Sequence, residues 1–72
     1  MTETTKTFLC NLREQRRARK LSQQELADAL GTTRSHVSRI ERGTVRVSLD
    51  QLHVIAAALS LSPTTLLRRV AA

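Results

Sequence analysis

The stretch Ser22-Gln23-Gln24-Glu25-Leu26-Ala27-Asp28-Ala29-Leu30-Gly31-Thr32-Thr33-Arg34-Ser35-His36-Val37-Ser38-Arg39-Ile40-Glu41-Arg42-Gly43 decides how this chain folds. Ser22 followed by Glu25 is a capping box, in which the hydroxyl and the carboxylate each satisfy a backbone N–H near the other. Leu26, Ala27 and Leu30 then face one way at helical spacing, and Gly31 ends the helix. Thr33 is a second N-cap, Val37 and Ile40 form the next inner stripe, and Gly43 closes it. Two short helices joined by a tight turn are predicted.

Upstream, Phe8, Leu9 and Leu12 predict a first helix from about Thr7 to Arg19. Downstream, Ser48 with Gln51 makes another capping box, and Leu49, Leu52, Ile55, Ala56 and Leu59 share one inward stripe of a fourth helix. Ser62 is expected to cap a fifth helix with Pro63 in its first position, where a missing N–H costs nothing, and Leu66, Leu67 and Val70 as its apolar side. No stretch alternates apolar and polar residues long enough for a half-buried strand, so the class is all-α, a compact five-helix domain. At 72 residues, 40% of them hydrophobic, the chain supports one small core. A single domain over 1–72 is expected, with the two central helices at about 22–43 and helices four and five at about 48–70.

Composition narrows the function. The net charge of +6 favours a polyanionic partner, and one aromatic residue, Phe8, is too few for the stacking platforms of single-strand binders, which leaves duplex nucleic acid. The lone Cys10 cannot form an internal disulfide or a paired-thiolate zinc site, and neither a metal nor a cofactor is expected. Cys10 with His36 or His53 would lack an orienting group and an oxyanion element, so no enzyme is expected. The longest apolar run, Val54 to Leu59, is far short of a membrane span, and the threonine-rich start lacks the apolar core of a signal peptide; a cytoplasmic location without membrane contact is expected.

Two short helices around a turn containing Gly31 form a helix-turn-helix, in which the first helix crosses the DNA backbone and the second enters the major groove. Leu12-Arg13-x-x-Arg16, Leu21-Ser22-Gln23-x-Glu25-Leu26-Ala27, Leu30-Gly31, Val37-Ser38-x-Ile40-Glu41-x-Gly43, Leu49-x-x-Leu52 and Ile55-Ala56-x-Ala58-Leu59 together resemble the Xre family, the phage Cro and repressor type of DNA-binding domain. The resemblance covers about residues 8 to 67 and implies a transcriptional regulator. The chain departs from the family in carrying Lys20 and Ser60 where Gly often follows a helix end, each at a cost of roughly 1 kcal/mol if left-handed. Arg46-Val47 replaces a frequent Asn-Pro, which adds a cation to the loop before helix four.

The resemblance implies that Gln23, Arg34, Ser35 and Arg39 face DNA, with His36 and Ser38 as shorter-range readers. The chemistry agrees: a guanidinium can donate twice to guanine O6 and N7, and Gln23 can pair with an adenine edge or hold a phosphate. Ser22, Thr33, Arg42 and Arg46 are candidate phosphate contacts, with Arg13 and Arg17 as weaker ones. Arg16 and Glu41 match a family ion pair between helices one and three.

One helix-turn-helix reads only a few base pairs, so a homodimer on a palindromic site is expected. Apolar residues left over from the core, Val45, Val47, Val54 and Leu61 with part of Leu66, Leu67 and Val70, are the candidates for its interface. The ending of the chain after helix five leaves the expectation of a regulator without a sensing domain, such as a phage-type repressor or a restriction-modification controller. The alternative is an antitoxin that binds a toxin protein and its own promoter.

Overall fold

The computed structural model describes Thr2 to Arg68, and within these residues the chain forms α1 (Glu3–Ala18), α2 (Gln23–Leu30), α3 (Arg34–Arg42), α4 (Leu49–Ala58) and α5 (Pro63–Leu67). The first helix begins ahead of the predicted Thr7. Thr2 Oγ1 accepts the backbone N–H of Thr5 at 3.1 Å, and Glu3 in the first turn complements the helix dipole. These are polar signals, invisible to an apolar stripe that starts at Phe8. Ser22 with Glu25 and Ser48 with Gln51 each form the full capping box. Ser62 holds the N-cap position of α5 without capping it, because its hydroxyl bonds those of Thr64 and Thr65 instead, at 3.0 and 2.9 Å. Helix α5 stops at Leu67 where Arg68 turns extended, short of the predicted end near residue 70; Val70 lies outside the described residues.

Helices α1 to α4 end alike. A left-handed residue follows each, and two backbone bonds fold back onto the last turn: Lys20 N to Arg17 O and Leu21 N to Arg16 O after α1, Ser60 N to Ala57 O and Leu61 N to Ala56 O after α4. Gly31 and Gly43 make the same turn after α2 and α3. Lys20 and Ser60 adopt it with side chains, at φ 56° and 57°. The paired bonds of each motif hold them in that region.

One core forms from Phe8, Leu9 and Leu12 of α1, Leu26 and Ala27 of α2, Val37 and Ile40 of α3, Leu52, Ile55 and Ala56 of α4, Leu59 just after α4, and Leu66 of α5. Two expectations are corrected. Leu49, assigned inward, is 76% exposed, because the buried stripe of α4 starts one turn later, at Leu52. Leu66, assigned in part to a dimer surface, is 0% exposed, because α5 lies against α1 and α4 with Leu66 turned into the core. Asn11 joins it: its side-chain amide, buried on α1, donates to the carbonyl oxygens of Leu66 and Arg68, each at 2.8 Å, and ties the end of α5 to the first helix.

Candidate nucleic-acid interface

Helix α3 has two faces. Its start is set by Thr33, whose Oγ1 accepts the N–H of His36 at 3.1 Å. Val37, Ile40 and Glu41 are buried against the rest of the fold. Arg34, Ser35, Arg39 and Arg42 are exposed, and Ser35, Arg39 and Arg42 follow one another at offsets of four and three, the spacing that lines residues along one face. Ser38 is half-buried. His36, also half-buried, lines a cleft with Leu30, Thr32, Asp50, Gln51 and Val54.

The helix is anchored by a charged network. Arg16 of α1 donates to Glu41 of α3 through two atoms, Nε to Oε2 at 2.6 Å and Nη2 to Oε1 at 3.1 Å, and its Nη1 donates to the carbonyl of Leu21 at 2.8 Å. The two side chains are 11% and 4% exposed. A bidentate pair this sheltered constrains both distance and orientation, so α3 is fixed relative to α1 about its own axis as well as along it. Gln23, the first residue of α2, also donates to Glu41 Oε1, at 3.1 Å. Family resemblance points Gln23 toward DNA, and this bond, for which no local motif exists, has no signature along the chain. Its amide nitrogen is turned to Glu41, and its side chain is half-buried.

The other cations are dispersed around this frame. Arg13 and Arg17 are exposed on α1, Arg42 ends α3, and Arg46 is exposed in the loop that follows. The hydroxyl oxygens of Ser22 and Thr33 are used as acceptors of helix-cap bonds, which leaves each hydroxyl hydrogen free to donate. The opening turn of α2 adds the N–H groups and positive dipole end of a helix start.

The apolar residues expected to pair two copies fall into three environments. Val45, Val47 and Leu67 line one open groove of about 670 Å³ together with Leu49 and Phe8. Leu61 is partly buried against the core. Val54, 50% exposed, belongs instead to the cleft beside His36. Among the described residues no three His, Cys, Asp or Glu side chains are grouped to hold a metal ion, and no helix is long and apolar enough to cross a membrane.

Comparison with known proteins agrees with this geometry. The helix-turn-helix family model (HTH_3) matches residues 12–66. An uncharacterized HTH-type transcriptional regulator, y4dL of Sinorhizobium fredii, is 44% identical over 61 residues, 85% of this chain and 31% of that protein, so the chain spans less than a third of that relative. Among solved structures, the hypothetical transcription factor NHTF from Neisseria superposes with a TM-score of 0.87 at 31% identity, covering 93% of this chain and 77% of that one. The restriction-modification controller protein C.AhdI from Aeromonas hydrophila gives 0.78 at 43% identity, over 83% and 91% of the two chains. The clp gene regulator ClgR from C. glutamicum gives 0.83 at 27% identity, over 93% and 87%.

Proposed function

We propose, from the premise that this chain belongs to the helix-turn-helix family of DNA-binding transcription regulators, that it recognises a specific duplex sequence by laying α3 in the major groove, as a two-fold pair on a palindromic operator in the cytoplasm. The observation that carries this reading is the division of α3: Arg34, Ser35 and Arg39 stand exposed on a helix whose other side is buried and whose orientation is held by the Arg16–Glu41 pair. A helix so held presents its side chains in one register, which base readout requires. Arg34 and Arg39 have the donor geometry for guanine O6 and N7, with Ser35 and Ser38 at shorter range. Arg42, Arg46, Arg13 and Arg17, with Ser22 and Thr33, supply phosphate contacts that set position without carrying sequence information.

Pairing is supported by the groove lined by Val45, Val47, Leu49 and Leu67, an apolar surface that a second copy would cover. Two half-sites roughly 34 Å apart, or a multiple of that, would then be read together. The likeness to a restriction-modification controller supports an output set by operator occupancy rather than by a chemical step. Selection of bound duplexes from a random pool tests the proposal. Enrichment of a palindrome, bound cooperatively, is expected; a pool that stays random after selection overturns it.

A further inference from the structure

The basic residues of α1 sort by face. Lys6, Cys10, Arg13 and Arg17 follow one another at offsets of four, three and four, the spacing of a single helix face, and all four are exposed. Lys20 stands exposed just past the helix end, two residues ahead of the α2 cap at Ser22. Arg16 and Arg19 lie off this face and have partners: Arg16 is turned to Glu41 and Leu21, and Arg19 Nη1 donates to the backbone and side-chain oxygens of Gln15 at 3.2 and 2.6 Å. Arg13, Arg17 and Lys20 bond no carboxylate among the described residues, Glu14 included.

This arrangement works against the free protein. Arg13 and Arg17 are like charges one helical turn apart, which weakens a helix, and Lys20 puts a cation at a left-handed position that glycine would occupy with less strain. An anion spanning the row relieves the repulsion. Lys6 to Arg17 extends about 17 Å at the rise of an α-helix, the length of about five successive phosphates along one strand of a duplex. The Lys20 end of the row adjoins the start of α2, the helix that lies across the DNA backbone in a helix-turn-helix. We propose that this face of α1 is a sequence-independent contact surface for the phosphate backbone beyond the base pairs read by α3, an inference that rests on the DNA-binding function proposed above. Ammonium and guanidinium groups in a row without an aromatic side chain suit a phosphate chain and leave base choice to α3.

The test compares Lys6→Gln/Arg13→Gln/Arg17→Gln with Arg19→Gln, which removes an exposed cation of the same helix end from outside the face. Binding is titrated against salt on two duplexes, one trimmed to the selected operator and one longer by about five base pairs at each end, the reach of the row. On the longer duplex the triple variant should lose about one unit of salt slope for each phosphate no longer neutralised. On the trimmed duplex it should match the wild type, and Arg19→Gln should leave both slopes unchanged. Equal losses on the two duplexes would place these cations inside the half-site and overturn the proposal, as would no loss on either. A drop for Arg19→Gln as large as that for Arg13→Gln alone would reduce the effect to net charge and overturn it too. Binding of the wild type to vesicles of anionic phospholipid that the triple variant loses, with duplex affinity unchanged, would assign the face to a membrane surface instead. If the triple variant melts early, the three single variants carry the same comparison. Should selection recover no preferred sequence, the specific function fails, while the contrast between Arg13→Gln and Arg19→Gln on random duplex still decides whether this face holds phosphate.

Discussion

The side-chain amide of Asn11 donates to the carbonyl of Leu66 at 2.8 Å, across 55 residues of sequence, and is buried where it does so. Its second bond, to the Arg68 carbonyl, completes a clamp on the end of α5. Asn11→Ala should destabilise the fold by about 1–3 kcal/mol, because the Leu66 carbonyl is left without a partner beside the core. Asn11→Asp should cost more, since an ionised carboxylate offers no donor and faces two carbonyl oxygens. Urea denaturation of the three proteins measures both; a wild-type midpoint in either variant would show that the clamp contributes nothing to stability.

Leu66 and Leu67 are neighbours with opposite expected responses. Leu66→Asp places a charge in the core and should abolish cooperative unfolding. Leu67, 39% exposed in the groove, should tolerate Asp with its fold intact, and if two copies pair through that groove the variant becomes monomeric and loses operator affinity. Leu49→Asp, at a residue 76% exposed in the same groove, should behave like Leu67→Asp. Sedimentation at micromolar concentration checks this, and a wild type that is monomeric and binds half-sites independently sinks the dimer.

The Arg16–Glu41 pair should show strong coupling. Truncating either partner leaves the other charged and sheltered, at a cost on the order of 3–5 kcal/mol, while replacing both with apolar residues should cost much less than the sum. A thermodynamic double-mutant cycle measures the difference, and additive effects would contradict the geometry's energetic importance.

The left-handed positions give a test with both signs. Lys20→Gly and Ser60→Gly should each stabilise by about 1 kcal/mol, as both residues are exposed and forfeit little packing. Gly31→Ala should destabilise by about 1–2 kcal/mol from backbone strain alone, because a Cβ there meets nothing within 4 Å. Thermal melts of the single variants decide it; unchanged midpoints would show that these turns relax.

At the proposed DNA surface, Arg34→Ala and Arg39→Ala should each cost about 1–3 kcal/mol on the preferred site and relax the base choice there. Arg42→Ala and Arg46→Ala should weaken all sequences alike and reduce the salt slope by about one unit for each phosphate that is no longer neutralised. Titrations on preferred and random duplex at several salt concentrations separate the two classes.

Much of this protein is local and therefore readable along the chain. The capping boxes at Ser22 and Ser48, the cap at Thr33 and the turns at Gly31 and Gly43 rest on groups within a few residues of one another. Amphipathic spacing places Val37 and Ile40 inward and Arg34 and Arg39 outward by the same rule. Family likeness extends that reading to Arg16 and Glu41, which stand 25 residues apart.

What a residue's own helix cannot specify is which neighbour covers it, and there only the assembled structure decided. Leu49 and Leu66 are both leucines on apolar stripes, yet one stands exposed at the start of α4, ahead of the buried stripe that begins at Leu52, and the other is sealed because α5 folds back on α1 and α4. Asn11 and Gln23 have no nearby partner in sequence, and their roles exist only once Leu66, Arg68 and Glu41 are brought beside them. Helix starts, stops and inner faces follow from backbone hydrogen bonding and a period of 3.6 residues, which the order of amino acids specifies by itself. Burial of a particular side chain, and the partner of a particular amide, depend on the packing of surfaces from distant segments, which the tertiary fold alone supplies.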